Sequence, residues 1–160
     1  MIDFGNENPR QMPRHLFAGV LRLEYSTAVR SNPERQNCSI CPRYWYIDAM
    51  FACDRCGSEF TFTAAEQRTW YEEYGFWIDS LPKHCLDCRR ELRDLKAARQ
   101  DYDRRIKESL EGDDFELKKH MAAVIDLLYE LGGELPQRIN ENRGRLARQM
   151  AKVEQLRTRP

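Results

Sequence analysis

The sequence predicts an α+β fold: a small core built on a β-hairpin, an irregular arm before it, and an extension of antiparallel helices after it. Three observations carry this expectation. Two cysteine pairs of identical spacing, Cys53-x-x-Cys56 and Cys85-x-x-Cys88, stand on either side of residues 57–84. Short runs with strand character flank the first pair. Beyond the second pair, apolar residues recur at helical spacing almost to the end of the chain.

At 160 residues the chain has room for one compact domain with an appendage, or for two small units. A charged fraction of 32% beside an ordinary hydrophobic fraction of 41% suits a small core carrying long solvated helices. Net charge is zero, yet its distribution is uneven. Residues 1–88 carry 9 basic and 12 acidic side chains, residues 89–160 carry 17 and 14, and residues 136–160 alone carry 7 and 2. A basic end of this kind can meet nucleic acid or another acidic surface. The N-terminus shows neither a basic n-region nor an apolar h-region. The longest apolar run, residues 16–21, is too short to span a bilayer. A soluble, cytoplasmic protein is therefore expected, and in that compartment cysteines at x-x spacing are metal ligands more often than disulfides.

Residues 1–14 hold Gly5, Pro9 and Pro13 and read as an irregular arm. Residues 16–29, apolar at 16, 17, 20, 21 and 23, read as a short helix or strand, and Ser31-Asn32-Pro33-Glu34 as a turn. Residues 44–52 are dense in aromatic and branched side chains and read as a core strand running into Cys53. Cys53-Asp54-Arg55-Cys56-Gly57 has the form of a zinc knuckle, in which the glycine permits a tight turn that aims backbone amides at the sulfurs. Residues 59–63 alternate polar and apolar, a returning strand that completes the hairpin. Thr63 and Glu66 form a capping box at the head of a helix of about three turns that Gly75 is placed to stop. Phe76-Trp77-Ile78 reads as buried against the knuckle, and Pro82 punctuates before the second cysteine pair.

Cys85-Leu86-Asp87-Cys88 leads directly into a helical pattern, with Leu92, Leu95, Tyr102, Ile106 and Leu110 on one stripe. Thiolates at a helix's first turn meet free amides and the positive end of the dipole. Gly112-Asp113-Asp114 ends this helix and caps the next, whose apolar face is Leu117, Met121, Val124, Ile125, Leu128 and Leu131. Gly132-Gly133 ends that one, and Pro136 suits the start of a third. There Ile139, Leu146 and Val153 fall seven apart, with Met150 and Leu156 beside them. The expected organisation is an N-terminal arm over 1–37, a metal-binding domain over 38–90 and a helical extension over 91–160.

Knuckle, hairpin and then a ligand pair at a helix start is the treble-clef arrangement. Four sulfurs complete the tetrahedral shell that zinc favours and leave no position for water or substrate, so Cys53, Cys56, Cys85 and Cys88 are expected to hold one structural zinc ion. Iron also accepts four sulfurs, but rubredoxin-type sites use two glycine-bearing knuckles, whereas here the second pair enters a helix. Binding would release thiol protons and supply folding free energy of about 10 kcal/mol, so residues 53–90 should lose their packing without metal.

Residues 53–89 resemble the bacterial probable zinc-ribbon (treble-clef-like) domain family, whose pattern runs C-x-x-C-G-x-E-F-x-F, E-Q, an aromatic, G-F, and P-x-x-C-x-x-C-R. The chain supplies Cys53, Cys56, Gly57, Glu59, Phe60 and Phe62, then Glu66-Gln67, Tyr71 and Gly75-Phe76, and finally Pro82, Cys85, Cys88 and Arg89. It departs in a longer gap between Gly75-Phe76 and Pro82 and in having His84 where arginine is expected. The resemblance implies zinc on the four cysteines and says little about activity.

Cys38-x-x-Cys41 is a third pair. If residues 43–52 are one extended strand, Cys41 stands roughly 30 Å from the knuckle at about 3.3 Å per residue. A shared zinc requires thiolates within about 2.3 Å of it. Cys38 and Cys41 are thus expected to be non-ligand cysteines, with intersubunit metal or a redox or metal-sensing switch as the remaining readings. His84 reads as a neighbour of the site, His15 and His120 as isolated residues, and Lys83, Arg89 and Arg90 as positive charges that offset a dianionic zinc tetrathiolate.

No enzyme signature emerges. A zinc deaminase needs H-x-E and P-C-x-x-C with an open coordination position; a thioredoxin-like pair needs a βαβ setting. There is no phosphate loop and no nucleophile elbow, and Glu72-Glu73 and Asp113-Asp114 are sequence neighbours that a helix does not aim at one substrate. A non-enzymatic zinc module is expected, acting through its C-terminal helices as a protein-interaction adaptor or oligomer, with no membrane and no small-molecule substrate. The alternative is a nucleic-acid-associated protein whose Arg138, Arg143, Arg145, Arg148, Lys152, Arg157 and Arg159 meet phosphates; a solvated helix face is the plainer reading of those charges.

Overall fold

The computed structural model describes residues 5–38 and 40–157. It divides into two compact units, Met1–Cys88 and Arg89–Pro160. The described residues before Cys38 fall within the first unit.

The first unit is a three-stranded antiparallel sheet in the order β1-β2-β3, with β1 at Arg22–Arg30, β2 at Trp45–Ala52 and β3 at Glu59–Phe62. The helix-or-strand ambiguity over residues 16–29 resolves into both: a 3₁₀ turn at Arg14–Phe17 and then β1. The β1–β2 register shifts between Glu24 and Val29. Thr27 mends the gap, since its hydroxyl donates to Glu24 O (2.7 Å) and accepts from Asp48 N–H (3.0 Å). A β-branched hydroxyl residue can restore in this way the pairing that a bulge removes.

Strand β3 stops at Phe62 because Thr63 turns the chain into α1 (Ala64–Arg68), and Thr63 Oγ1 accepts from Glu66 N–H at 3.1 Å, as the capping box requires. That departure would orphan Ile47 in β2. Gln67 takes over, its buried side-chain amide donating to Ile47 O (2.6 Å) and Phe62 O (2.8 Å) while its carbonyl accepts from Ile47 N–H (3.4 Å). The helix runs on through a π-helical turn at Thr69–Glu73, and Gly75, at φ 65°, ends it. Tyr46, Phe62, Tyr71 and Ile78 form the core between sheet and helix, with Trp70 edge-on to Phe62 at 4.9 Å.

One expectation is corrected here. Of Phe76-Trp77-Ile78, expected to be buried against the knuckle, only Ile78 is buried; Phe76 is 44% and Trp77 42% exposed, and Tyr74 beside them is 63% exposed. Gly75 turns the backbone out at this point, and Trp77 finds its partner at the surface by donating Nε1–H to Asp79 (3.1 Å).

The second unit consists of α2 (Leu86–Glu111) beyond residue 88, α3 (Phe115–Gly132) and α4 (Gln137–Arg157). Its directions follow from the contacts. Asp101 meets His120 at 2.6 Å, and a Cβ on Gly132 would lie 3.3 Å from Leu95, so α3 runs back along α2. Arg143 meets Asp126 at 2.6 Å, and Asn142 donates to the Tyr102 hydroxyl at 2.8 Å, so α4 is antiparallel to α3 and parallel to α2. The predicted stripes close on one core of Ala98, Tyr102, Ile106, Met121, Ile125 and Leu146. Asp114 caps α3 by accepting from Leu117 N–H (3.0 Å). Leu156, placed by sequence beside the apolar stripe, is exposed, since it lies in the last turn of α4 beyond the packed positions.

Lys118 sits in the middle of this core region, a position that periodicity alone would not give to a cation. Its buried ammonium donates to Ser109 O (2.5 Å), Gly112 O (2.6 Å) and Gln149 Oε1 (3.0 Å). It thereby satisfies the carbonyls left open where α2 ends. Asp101 is held below the usual carboxylate range, first by the His120 hydrogen bond and then by Arg104.

Replacing Gln67 by Leu keeps the volume but strips Ile47 and Phe62 of their partners. Thermal or urea unfolding of the Gln67→Leu protein should show the first unit weakened by about 1–3 kcal/mol; an unchanged midpoint would remove Gln67 from the account of how β2 is satisfied.

Candidate metal centre

Strand β2 carries Cys53 to the hairpin tip. There Cys53 N–H donates to Ser58 O and Gly57 N–H donates to Cys53 O, both at 2.9 Å. The turn between them needs the positive φ of Gly57, 73°, which a residue with a Cβ adopts only under strain. Asp54 N–H donates to Lys83 O at 2.9 Å, which ties the knuckle to the segment carrying the second pair. Cys85 immediately precedes α2 and Cys88 lies in its first turn.

These elements bring the four sulfurs of Cys53, Cys56, Cys85 and Cys88 within 4.8 Å of one another. The Cys56 and Cys85 sulfurs are 3.8 Å apart, too far for a disulfide, and all six cysteines are free. A regular tetrahedron with zinc–sulfur bonds of about 2.3 Å has edges of about 3.8 Å. The arrangement therefore fits one structural zinc ion held by sulfur alone. Cys53 and Cys88 are buried, Cys85 is half-buried and Cys56 is exposed.

The thiols are prepared for a cation unequally. Burial pushes the Cys53 thiol up, but hydrogen bonds from the backbone N–H groups of Cys56, Cys85 and Arg55 outweigh it and bring the thiol down to about 5. Cys56 is lowered mainly by the Ser58 hydroxyl and then by the Ser58 N–H. Cys88 is raised, first by burial and then by the neighbouring thiols. The knuckle thus favours the thiolate form of its sulfurs, while the surroundings of Cys88 favour the protonated thiol that a metal must displace.

Among the described residues the four-sulfur group contains no other ligand type and neither Cys38 nor Cys41. Those two pack elsewhere: Cys38 lies against the core of Tyr46 and Phe62, and Cys41 is buried with Met12, Leu16 and Ile47. Burial, and after it Cys38, raises the Cys41 thiol. His84 is half-buried beside Cys85, Lys83 and Arg90 are exposed and Arg89 is half-buried. His120, which has no sequence context to mark it, is engaged by Asp101.

The basic residues of α4 separate into two kinds. Arg143 is committed to Asp126. Arg138, Arg145, Arg148 and Lys152 are exposed, and their spacings of 7, 3 and 4 put them on one face. Arg157 closes α4, and Arg159 lies outside the described residues.

Arg43 escaped the sequence reading. It is fully buried, its Nη2 donates to Leu16 O (2.6 Å) and Ile78 O (3.3 Å), and its guanidinium stacks over Phe17 at 5.2 Å and Tyr71 at 5.3 Å. Burial lowers its pKa, opposed by Tyr71 and Tyr46. The only trace in the sequence is a lone cation heading an aromatic strand.

Residues 47–97 match a family model described as a probable treble clef domain, and the segment from β2 into α2 has that architecture. No curated protein and no solved structure matches the chain. Among the described residues no helix is long and apolar enough to cross a membrane.

Chelation should abolish the order of residues 53–88 while leaving the helical circular dichroism of the second unit largely intact, and Cys88→Ser should lower zinc affinity by orders of magnitude. Acid acts in the same direction. Cys53 is depressed in the fold, so its contribution is complete above the ordinary thiol range and lost as pH falls to about 5. Zinc release followed with a chromogenic chelator should therefore rise steeply between about pH 7 and 5. Retention of a full equivalent of zinc by Cys88→Ser at acid pH would contradict the four-sulfur site.

Proposed function

We propose that this chain is a non-enzymatic zinc-stabilised module whose helical unit engages a protein partner or a second copy of itself. A shell closed by four sulfurs leaves the metal no position at which to activate water, which supports a structural role and no catalytic one. The observation that carries the interaction reading is on α3. Ala123 and Leu127 are exposed, four apart on one face, beside a core that is already filled by the other stripe, and the half-buried Leu131 continues the line at the edge of that core stripe. A second apolar stripe on a helix of this length is what a further helix would cover.

Light scattering and native mass spectrometry of the full chain should show an oligomer or a co-purifying protein. The surface change Leu127→Glu should weaken that association about tenfold or more, without altering zinc content or helicity. A monomer that brings no protein with it would defeat this reading.

A second reading rests on the exposed stripe of Arg138, Arg145, Arg148 and Lys152. Residues 138–152 span roughly 21 Å at about 1.5 Å per residue. Four positive charges over such a length suit a phosphate backbone read without regard to sequence. Neutralising four phosphates predicts a salt slope of about −3.6, so affinity for duplex DNA should fall roughly a hundredfold between about 50 and 200 mM salt. A flat titration over that range excludes it.

A further inference from the structure

The first unit carries a concavity that the metal site does not use. It has a volume of about 470 Å³, within the range of small-molecule sites. Arg10, Arg14 and Arg22 line it, and no carboxylate does. Among the described residues none of these three guanidinium groups has an ion-pair partner. Glu24 feels both Arg22 and Arg10, but its carboxylate is turned to Ser26, accepting from the hydroxyl at 2.6 Å and the N–H at 3.3 Å. The remaining surface is apolar, with Met12, Phe17, Val20, Leu23 and Tyr25 prominent.

The walls are braced. The Arg10 guanidinium lies 4.3 Å over the Tyr25 ring, a cation–π contact that holds one charge in place at the site. Phe17 is backed by the buried guanidinium of Arg43, which also grips Leu16 O at 2.6 Å. Met12, which lines the concavity, is itself anchored in the core beside the buried Leu16. A site whose side chains are fixed before binding loses less on ordering them. Three exposed arginines around one concavity also gather positive potential there more locally than charges spread along a helix face do.

We propose that this cavity binds small amphipathic anions: a carboxylate or phosphate headgroup for the arginines, joined to an apolar body that covers Phe17, Val20 and Leu23. The headgroup chemistry accounts for three guanidinium groups on a lining that holds no carboxylate, although Arg22 also borders Glu24 and Asp48 on its other side, and the apolar floor accounts for what a bare inorganic anion would leave exposed. The hollow also differs from the open, linear charge stripe of α4, which suits a polymer.

Calorimetric titration of the zinc-loaded full chain with decanoate and decyl phosphate, below their micelle concentrations, tests this directly. Both should bind one to one, and whichever binds more tightly identifies the preferred headgroup. Decanol and decyltrimethylammonium should bind at least tenfold more weakly. Arg14→Gln and Arg22→Gln, both at exposed positions, should each weaken the anions about tenfold and leave decanol unaffected, with zinc content and melting temperature unchanged. Arg43→Leu is the positioning control: affinity should fall together with the order of Phe17 seen in its ring NMR signals. Equal binding of the four ligands, absence of binding, or indifference to both arginine substitutions would overturn the proposal. Preferential, arginine-dependent binding of a short single-stranded oligonucleotide would overturn it in favour of a polyanion site.

Discussion

Four sulfurs converging on a single tetrahedron form the constraint on which the first unit depends. They join a hairpin tip to the first turn of a helix, two pieces of backbone separated by residues 57–84. A three-stranded sheet whose last strand is only four residues long, with one brief helix, is a small core to hold such distant segments in register. The metal supplies what the core lacks, and its demands explain local choices that packing does not. Gly57 is where it is because the knuckle must turn back at a positive φ, and Ser58 is where its hydroxyl and N–H favour the Cys56 thiolate. The inequality of the thiols follows from position: the knuckle surrounds its sulfurs with N–H donors, while Cys88 is set among apolar atoms and other sulfurs.

A second principle runs through both units: where secondary structure ends early, a polar side chain completes the pairing. Gln67 continues the ladder that β3 abandons, Thr27 bridges the bulge in β1, and Arg43 collects the carbonyls of Leu16 and Ile78. In the helical unit Lys118 closes the end of α2, and Gln149 donates to Leu110 O at 3.1 Å. At Gln67, Arg43 and Lys118, which are buried, the substitution of side chain for backbone prevents an orphaned donor or acceptor in the interior, where the cost would be about 1–3 kcal/mol. Such residues act as fasteners, and they specify geometry more sharply than the apolar residues around them.

The surface carries three distinct opportunities, and their chemistries do not overlap. An apolar stripe on α3 suits another helix, a linear basic stripe on α4 suits a polymer of phosphates, and a braced, arginine-lined hollow on the sheet-bearing unit suits a small anion with an apolar body. A shell closed by four sulfurs gives the metal a structural part. That part is to keep the surface of the first unit in shape.

Much of this was legible in the residues. Cysteine spacing, the glycine after Cys56 and the helical pattern after Cys88 determined the metal site and its treble-clef setting, because thiolate reach and knuckle geometry are local properties of a few residues. Capping at Thr63 and Asp114 was equally local, and the three apolar stripes showed which faces of α2, α3 and α4 would meet. Tertiary structure alone decided the rest. Phe76 and Trp77 look like core residues in one dimension, yet Gly75 swings them to the surface. Lys118 and Arg43 look like surface residues, yet each is buried because carbonyls from distant segments gather around it. Which polar groups are left unpaired depends on where strands and helices stop relative to one another, and that is settled only when separate parts of the chain come together in space.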